Sequence, residues 1–257
     1  MRAHSLRGRS TSMPIYRTRK GTSSYGHELG ILQIDCDQPL VPGDVGNATT
    51  WPFTVLFQPM KGCTIDRLIH KNDASLIAEV REAAKKLESY GVRAITSNCG
   101  FMIQFQDQLA AEASVPVFLS PLLQLPYILR SLGGKRPVGV MTASTSGLSR
   151  DILALAHVGP DDPTPVYGVD QYPEFNDTFM HDSGVVDTDA VERACVDLAK
   201  RMVSDHPDMG AILLECAVLP PYANAMQKAT GLPVYDFVTM AEQFIAGYHR
   251  PRYDGHY

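Results

Sequence analysis

The chain has 257 residues, 44% of them hydrophobic and 20% charged, which is enough for one large or two modest domains with a full core and too apolar for a disordered chain. Residues 1–27 hold six of the 23 Lys+Arg and no acid, leaving 17 bases against 28 acids in the rest, an acidic body that argues against nucleic acid as a partner. No apolar run reaches the roughly 18 residues of a membrane span, because Glu215 interrupts Gly210 to Leu219.

The opening stretch, 1–27, is rich in Arg, Ser, Thr and Gly and lacks the apolar segment of a secretory signal. It is expected as a flexible tail; initiation at Met13 and an Arg-rich organelle-targeting peptide are the alternatives. From Leu29 on, short apolar runs alternate with amphipathic stretches, the pattern of strands that cross over through helices into parallel sheets. Eight strands are predicted, over 30–35, 53–58, 93–98, 115–119, 137–142, 165–169, 211–216 and 233–238. Between the second and third, Asp73 caps a helix carrying Leu76, Ile77, Val80, Ala84 and Leu87 on one face, and Gly91 stops it. A second clear helix spans 188–204, where Val191, Cys195, Leu198 and Met202 share a face, making Cys195 a packing residue. The 170–187 stretch, with Tyr172, Phe175, Phe179 and Met180, is long and aromatic for a connection and is expected to cover a cleft or form a subunit contact. His70, His157, His181 and His206 read as surface or packing residues, and 249–257 reads as a solvated tail.

Sliding the sequence along itself reveals a repeat. At an offset of 117, Ala94, Ile95, Cys99, Pro116 and Val117 meet Ala211, Ile212, Cys216, Pro233 and Val234 without a gap. Gly30 to Asp35 likewise corresponds to Gly139 to Ser144. The fold class that follows is α/β, with two parallel-sheet subdomains related by a pseudo-twofold and a cleft between them. The first half is 28–135, carrying Cys99, and the second 136–248, carrying Cys216.

Ligands of open parallel sheets bind beyond the carboxyl ends of the strands, and both cysteines stand there. Two thiols aimed at one cleft from opposite sides suit inversion at a carbon acid, one thiolate removing a proton while the other thiol delivers one to the opposite face. A thiol with an ordinary pKa of about 8.5, lowered by a helix N-terminus, serves as base with no metal and no cofactor. The five cysteines (36, 63, 99, 195, 216) form no CxxC pair and no zinc-like spacing with histidine, which fits free thiols in a reducing, cytoplasmic compartment. Thr142, Ser144 and Thr145 place three hydroxyls after a strand. With the N–H groups of Gly100 and Ala217, next to the cysteines, they can hold a carboxylate and its enolate-like form. Asn98 orients a substrate carboxylate or the thiol, or is a buried strand-end amide. Asp35 binds a substrate amine or caps the next turn. Glu215 can tune Cys216, although a strand residue there more often points to the opposite face. Cys36 can line the pocket, and Cys63 has no evident partner.

Three motifs, Thr96 to Phe101 (TSNCGF), Leu213 to Tyr222 (LLECAVLPPY) and Pro42 to Asn47 (PGDVGN), make the chain resemble the aspartate/glutamate racemase superfamily over 28–248. That superfamily includes hydantoin racemases, maleate isomerases and arylmalonate decarboxylases. The resemblance implies Cys99 and Cys216 as the acid/base pair, Asn98, Thr142, Ser144 and Thr145 as substrate-binding residues, and a homodimer or larger assembly. Ala217 and Val218 replace the threonine and polar residue that follow the second cysteine in the amino-acid racemases, which shifts the expected substrate towards a small carboxylate or cyclic carbon acid. The expected activity is that of a cofactor-independent racemase or epimerase of a small carboxylate. The alternatives are a cis-trans isomerase or decarboxylase using one cysteine, and a non-enzymatic small-acid binder or thiol redox sensor.

Overall fold

A computed structural model describes residues 15–18, 20–22, 24–181 and 183–253. The apolar runs form two parallel sheets. In the first, β1 (Leu29–Gln33) lies between β2 (Val55–Pro59) and β3 (Ala94–Ser97). In the second, the order is β5 (Val166–Gly168), β4 (Val138–Thr142), β6 (Ala211–Leu214), β7 (Val234–Tyr235). The repeat survives as strand register: Ile95 faces Gly30 and Val117, and its counterpart Ile212 faces Gly139 and Val234. The strand expected at 115–119 shrinks to the single Ile95–Val117 bridge. Pro116 contributes to this, since it has no N–H for the ladder.

The helices α1 (Ile77–Tyr90), α2 (Gln106–Glu112), α3 (Leu125–Ser131), α4 (Arg150–Leu155), the single turn α5 (Pro173–Phe175), α6 (Thr188–Asp205), α7 (Ala223–Thr230) and α8 (Phe237–Ala246) connect and cover the strands. Their ends follow local chemistry. Asp73 accepts from the Ser75 N–H in the turn that leads into α1, which Gly91 ends at φ 75°. Asp187 caps α6 by accepting from the Ala190 N–H, and Asp236 with Thr239 makes a capping box at α8.

Packing interlocks the halves. Leu125, Ile128 and Leu129 of α3 share a core cluster with Val138, Val140 and Leu213 of the second sheet. Phe237, Met240, Ala241 and Ile245 of α8 join Leu29, Ile31 and Ala94 of the first. Each half thus sends its last helix to the other's sheet, and neither closes its core alone. Of the expected tails, 1–14 and 254–257 lie outside the described residues. Residues 24–27 form no helix or strand, and Thr22 Oγ1 donates to Ser89 O at 2.7 Å. At the other end His249 Nε2 lies 3.1 Å from Glu28 Oε2. Among the described residues no helix is long and apolar enough to cross a membrane.

Candidate active site

β3 and β6 end at Ser97 and Leu214, and the next two residues of each, Asn98-Cys99 and Glu215-Cys216, turn out of the sheet plane into one pocket. Its empty volume, mouth included, is about 400 Å³. Asn98, Cys99, Gly100 and Phe101 line it from the first half, and Ala143, Glu215, Cys216 and Val218 from the second. The roof is apolar: Ile65 and Ile69 come from one side, Phe179 and Met180 from the other. Both roof segments include a single wide turn with π-helical bonding, Asp66–His70 and Asn176–Met180. Gln38, also in the lining, joins the halves by donating from Nε2 to Phe179 O at 2.6 Å.

The two thiols occupy matching positions in their turns, Cys99 buried and Cys216 half-buried. The N–H of Phe101, two residues on, points at Cys99, and the N–H of Val218 points at Cys216. Each N–H favours the thiolate, but burial and then the Glu215 charge outweigh it, pushing both thiols well above their ordinary value. The expected lowering by a helix N-terminus is therefore overturned, because burial outweighs the backbone N–H contact made to each thiol.

Glu215 is fully buried and points into the pocket, not to the opposite face as strand alternation suggests. The reason is that β6 stops at Leu214, so the alternation has already ended. Thr142 Oγ1 donates to Glu215 Oε2 at 2.8 Å, while Oε1 is buried without a hydrogen-bond partner. Burial pushes this carboxyl up to about 7 despite the Thr142 bond. Glu215 lies against Gly100, where a Cβ would collide with Oε1, Cδ and the backbone O. Glycine at position 100 is what lets a carboxylate from one half nest beside the cysteine turn of the other.

The remaining sequence-predicted residues divide. Asn98 lines the pocket with Oδ1 accepting from the Ile34 N–H at 2.9 Å, which leaves its NH₂ group as the side chain's donor. Thr142 reaches the site through Glu215. Four others stand apart from the lining. Asp35 accepts from the Gly62 N–H at 2.8 Å as a turn cap. Ser144 accepts from the Gly147 N–H at 3.3 Å, bracing its own turn. Thr145 donates to Asp170 Oδ1 at 3.1 Å. Ala217 packs with Leu29 and Trp51. Counting hydroxyls after a strand gives no direction, and here the turn consumes two of the three. Cys36 packs against the core and Cys195 is buried. Burial holds Cys63 up at about 12.

Of the two readings of 170–187, the cleft cover fits Phe179 and Met180, which line the pocket, while the Asp66–His70 turn opposite them was not anticipated and Glu215 was read only as a residue that can tune Cys216. Sequence reasoning also left the Pro42–Asn47 motif without a role. That loop braces the Cys216 turn: Val45 N–H donates to Ala217 O at 3.3 Å, and Gly43 (φ 100°) abuts Pro221 so closely that a Cβ would lie 2.8 Å from its Cα. Asp44 is buried within the loop, accepts from the Gly46 N–H at 2.6 Å and is raised to about 7 by desolvation. Among the described residues no group of three or more His, Cys, Asp or Glu is placed to hold a metal ion.

A duplicated α/β frame that delivers one cysteine turn from each half to a shared pocket defines the class. Residues 52–245 match the Asp/Glu/hydantoin racemase family, and the chain belongs to it. Its curated relatives include a dimethylsulfoniopropionate lyase of Durusdinium sp. clade D, 31% identical over 244 residues, or 89% of this chain and 80% of the relative. Dimethylsulfoniopropionate lyase 7 of Emiliania huxleyi is 32% identical over 228 residues, 85% of this chain and 66% of its own length. Among solved structures, the allantoin racemase of Klebsiella pneumoniae superposes with a TM-score of 0.59 at 15% identity, covering 86% of this chain and 87% of that one. At that identity the likeness is one of fold.

Proposed function

We propose that the chain is a carbon–sulfur lyase acting on a small β-sulfonio carboxylate, dimethylsulfoniopropionate being the substrate its relatives' names point to. The observation that carries this reading is that Cys99 and Cys216 line one small, mostly apolar pocket. A cysteine thiolate takes the proton on the carbon beside the carboxylate and becomes a thiol. The C–H electron pair forms the double bond, the C–S pair departs with neutral dimethyl sulfide, and acrylate remains. Loss of the proton to solvent restores the thiolate. The leaving group needs no acid, so one thiol suffices. Both thiols are neutral at rest because burial disfavours the thiolate, and a cationic substrate entering the pocket offsets that penalty and makes the base when it is needed. The free NH₂ of Asn98 is placed to donate to the substrate carboxylate.

The test is incubation of the purified chain with dimethylsulfoniopropionate, measuring sulfide in the headspace and acrylate by NMR. Equimolar products support the reading, and no sulfide between about pH 6 and about pH 9 rejects it. Replacing the cysteine that acts as base by serine is expected to lower turnover roughly 100-fold or more, with the other replacement milder.

The matched N–H contacts on the two thiols favour a second reading, racemisation or epimerisation of a carbon acid with both cysteines required. Here, incubation in D₂O would return deuterated, inverted substrate and no alkene, and either Cys99→Ser or Cys216→Ser would abolish inversion.

A further inference from the structure

We propose that Glu215 is the specificity-determining residue that makes this pocket select substrates with a fixed positive charge. This rests on the lyase reading of the same site. Glu215 is a wholly buried carboxylate with Oε1 unpartnered, and it lines the pocket. No Lys, Arg or His stands among the described residues lining the pocket, so the protein itself offers no counter-charge there. A buried carboxylate with one unsatisfied oxygen is costly unless something arrives to pair with it. What arrives can lack N–H donors: Phe101, Phe179 and Met180 line the same space and suit methyl groups around an onium centre, whose charge is met by a carboxylate and by aromatic faces.

The repeat sharpens the argument. Asn98 and Glu215 occupy the same position, one residue before each cysteine, at the repeat offset of 117. One half thus presents an amide donor and the other a carboxylate. A zwitterion lying between the thiols directs its carboxylate to Asn98 and its cation to Glu215, which places the reacting carbons between the sulfurs. A simple anion has no favourable end at Glu215.

The test uses binding, so that it does not depend on turnover. The full chain is titrated calorimetrically at about pH 8 with two unreactive probes of equal shape: β-alanine betaine, a zwitterion, and its carbon isostere, in which carbon replaces the quaternary nitrogen. The wild type is expected to bind the betaine at least roughly tenfold more tightly, and Glu215→Gln to lose that preference while retaining or improving affinity for the isostere, which carries only the carboxylate charge. A merely structural role for Glu215 would weaken both probes together and leave the ratio unchanged; an unchanged ratio in Glu215→Gln, or no preference in the wild type, overturns the inference. Should Glu215→Gln fail to fold, Glu215→Asp, which keeps the charge, is expected to retain the preference, and its loss there counts against the inference as well. Sulfide release is assayed separately. Lyase activity with an unaltered ratio sinks only this inference, and a Glu215-dependent preference without sulfide release sinks only the lyase reading.

Discussion

A carboxyl group held at about 7 by burial makes folding stability depend on pH in a direction that can be worked out. Glu215 has its pKa raised from the ordinary 4.5 to about 7, so the folded state binds the proton more tightly than the unfolded chain. The associated stability is fully present below about pH 4.5 and is lost as pH rises to about 7, a difference of about 3 kcal/mol. Glu215→Gln is therefore expected to match the wild type in Tm near pH 4 and to exceed it by several degrees near pH 8, as scanning calorimetry would show; a constant offset at all pH values would contradict this assignment. The charge proposed to select the substrate is thus retained against stability. Gly100→Ala tests the cradle: its Cβ drives into Glu215, and turnover is expected to fall at least tenfold with a loss of about 1–3 kcal/mol in urea melts. At this scale the cysteines were legible because duplication repeats them in register. For Glu215 the sequence offered both tuning of Cys216 and the opposite face, because alternation predicts a face only while the strand lasts, and β6 ends one residue earlier.

The strands and helices that position the site differ in how plainly the sequence announces them. α1 and α6 follow from apolar spacing and capping aspartates, at Asp73 and Asp187. The π-bonded turns at Asp66–His70 and Asn176–Met180 do not, since one extra residue per turn leaves no periodic trace over five residues. Their equivalence emerges only when both are seen to roof the same pocket. Ile69 is half-buried, lines the pocket and would sit 3.1 Å from a Cβ at Gly147. Ile69→Ala is expected to raise KM severalfold with kcat less affected and Tm down by only a few degrees. An unchanged KM would show that this turn does not touch substrate. The Pro42–Asn47 loop was visible as a motif, but its bracing of the Cys216 turn involves residues about 170 positions apart in the chain, which no local pattern encodes.

Across the whole molecule, the exchange of α3 and α8 packs each half's last helix on the other's sheet, although the sequence reads as two tandem units, so the halves are expected to unfold together. The sole tryptophan, Trp51, shares a cluster with α8 and with Ala217. Its fluorescence in urea is accordingly expected to change at the same midpoint as far-UV circular dichroism, and two separated midpoints would show that the halves unfold independently. The two-sheet α/β architecture was legible from strand spacing and the repeat. The helix exchange was not, because the sequence shows that a helix is amphipathic without showing which sheet it covers.

One departure from perfect duplication has a stereochemical consequence. Were the residues before both cysteines alike, a bound molecule could lie in either of two opposite senses, and both hydrogens on its methylene would meet a sulfur equally often. With the amide on one side and the carboxylate on the other taking opposite ends of a zwitterion, as proposed above, a single sense of entry remains and the two hydrogens become distinguishable to the protein. On the lyase reading, dimethylsulfoniopropionate carrying deuterium at one prochiral position beside the carboxylate should therefore yield acrylate that has either kept the label entirely or lost it entirely, depending on which hydrogen was replaced.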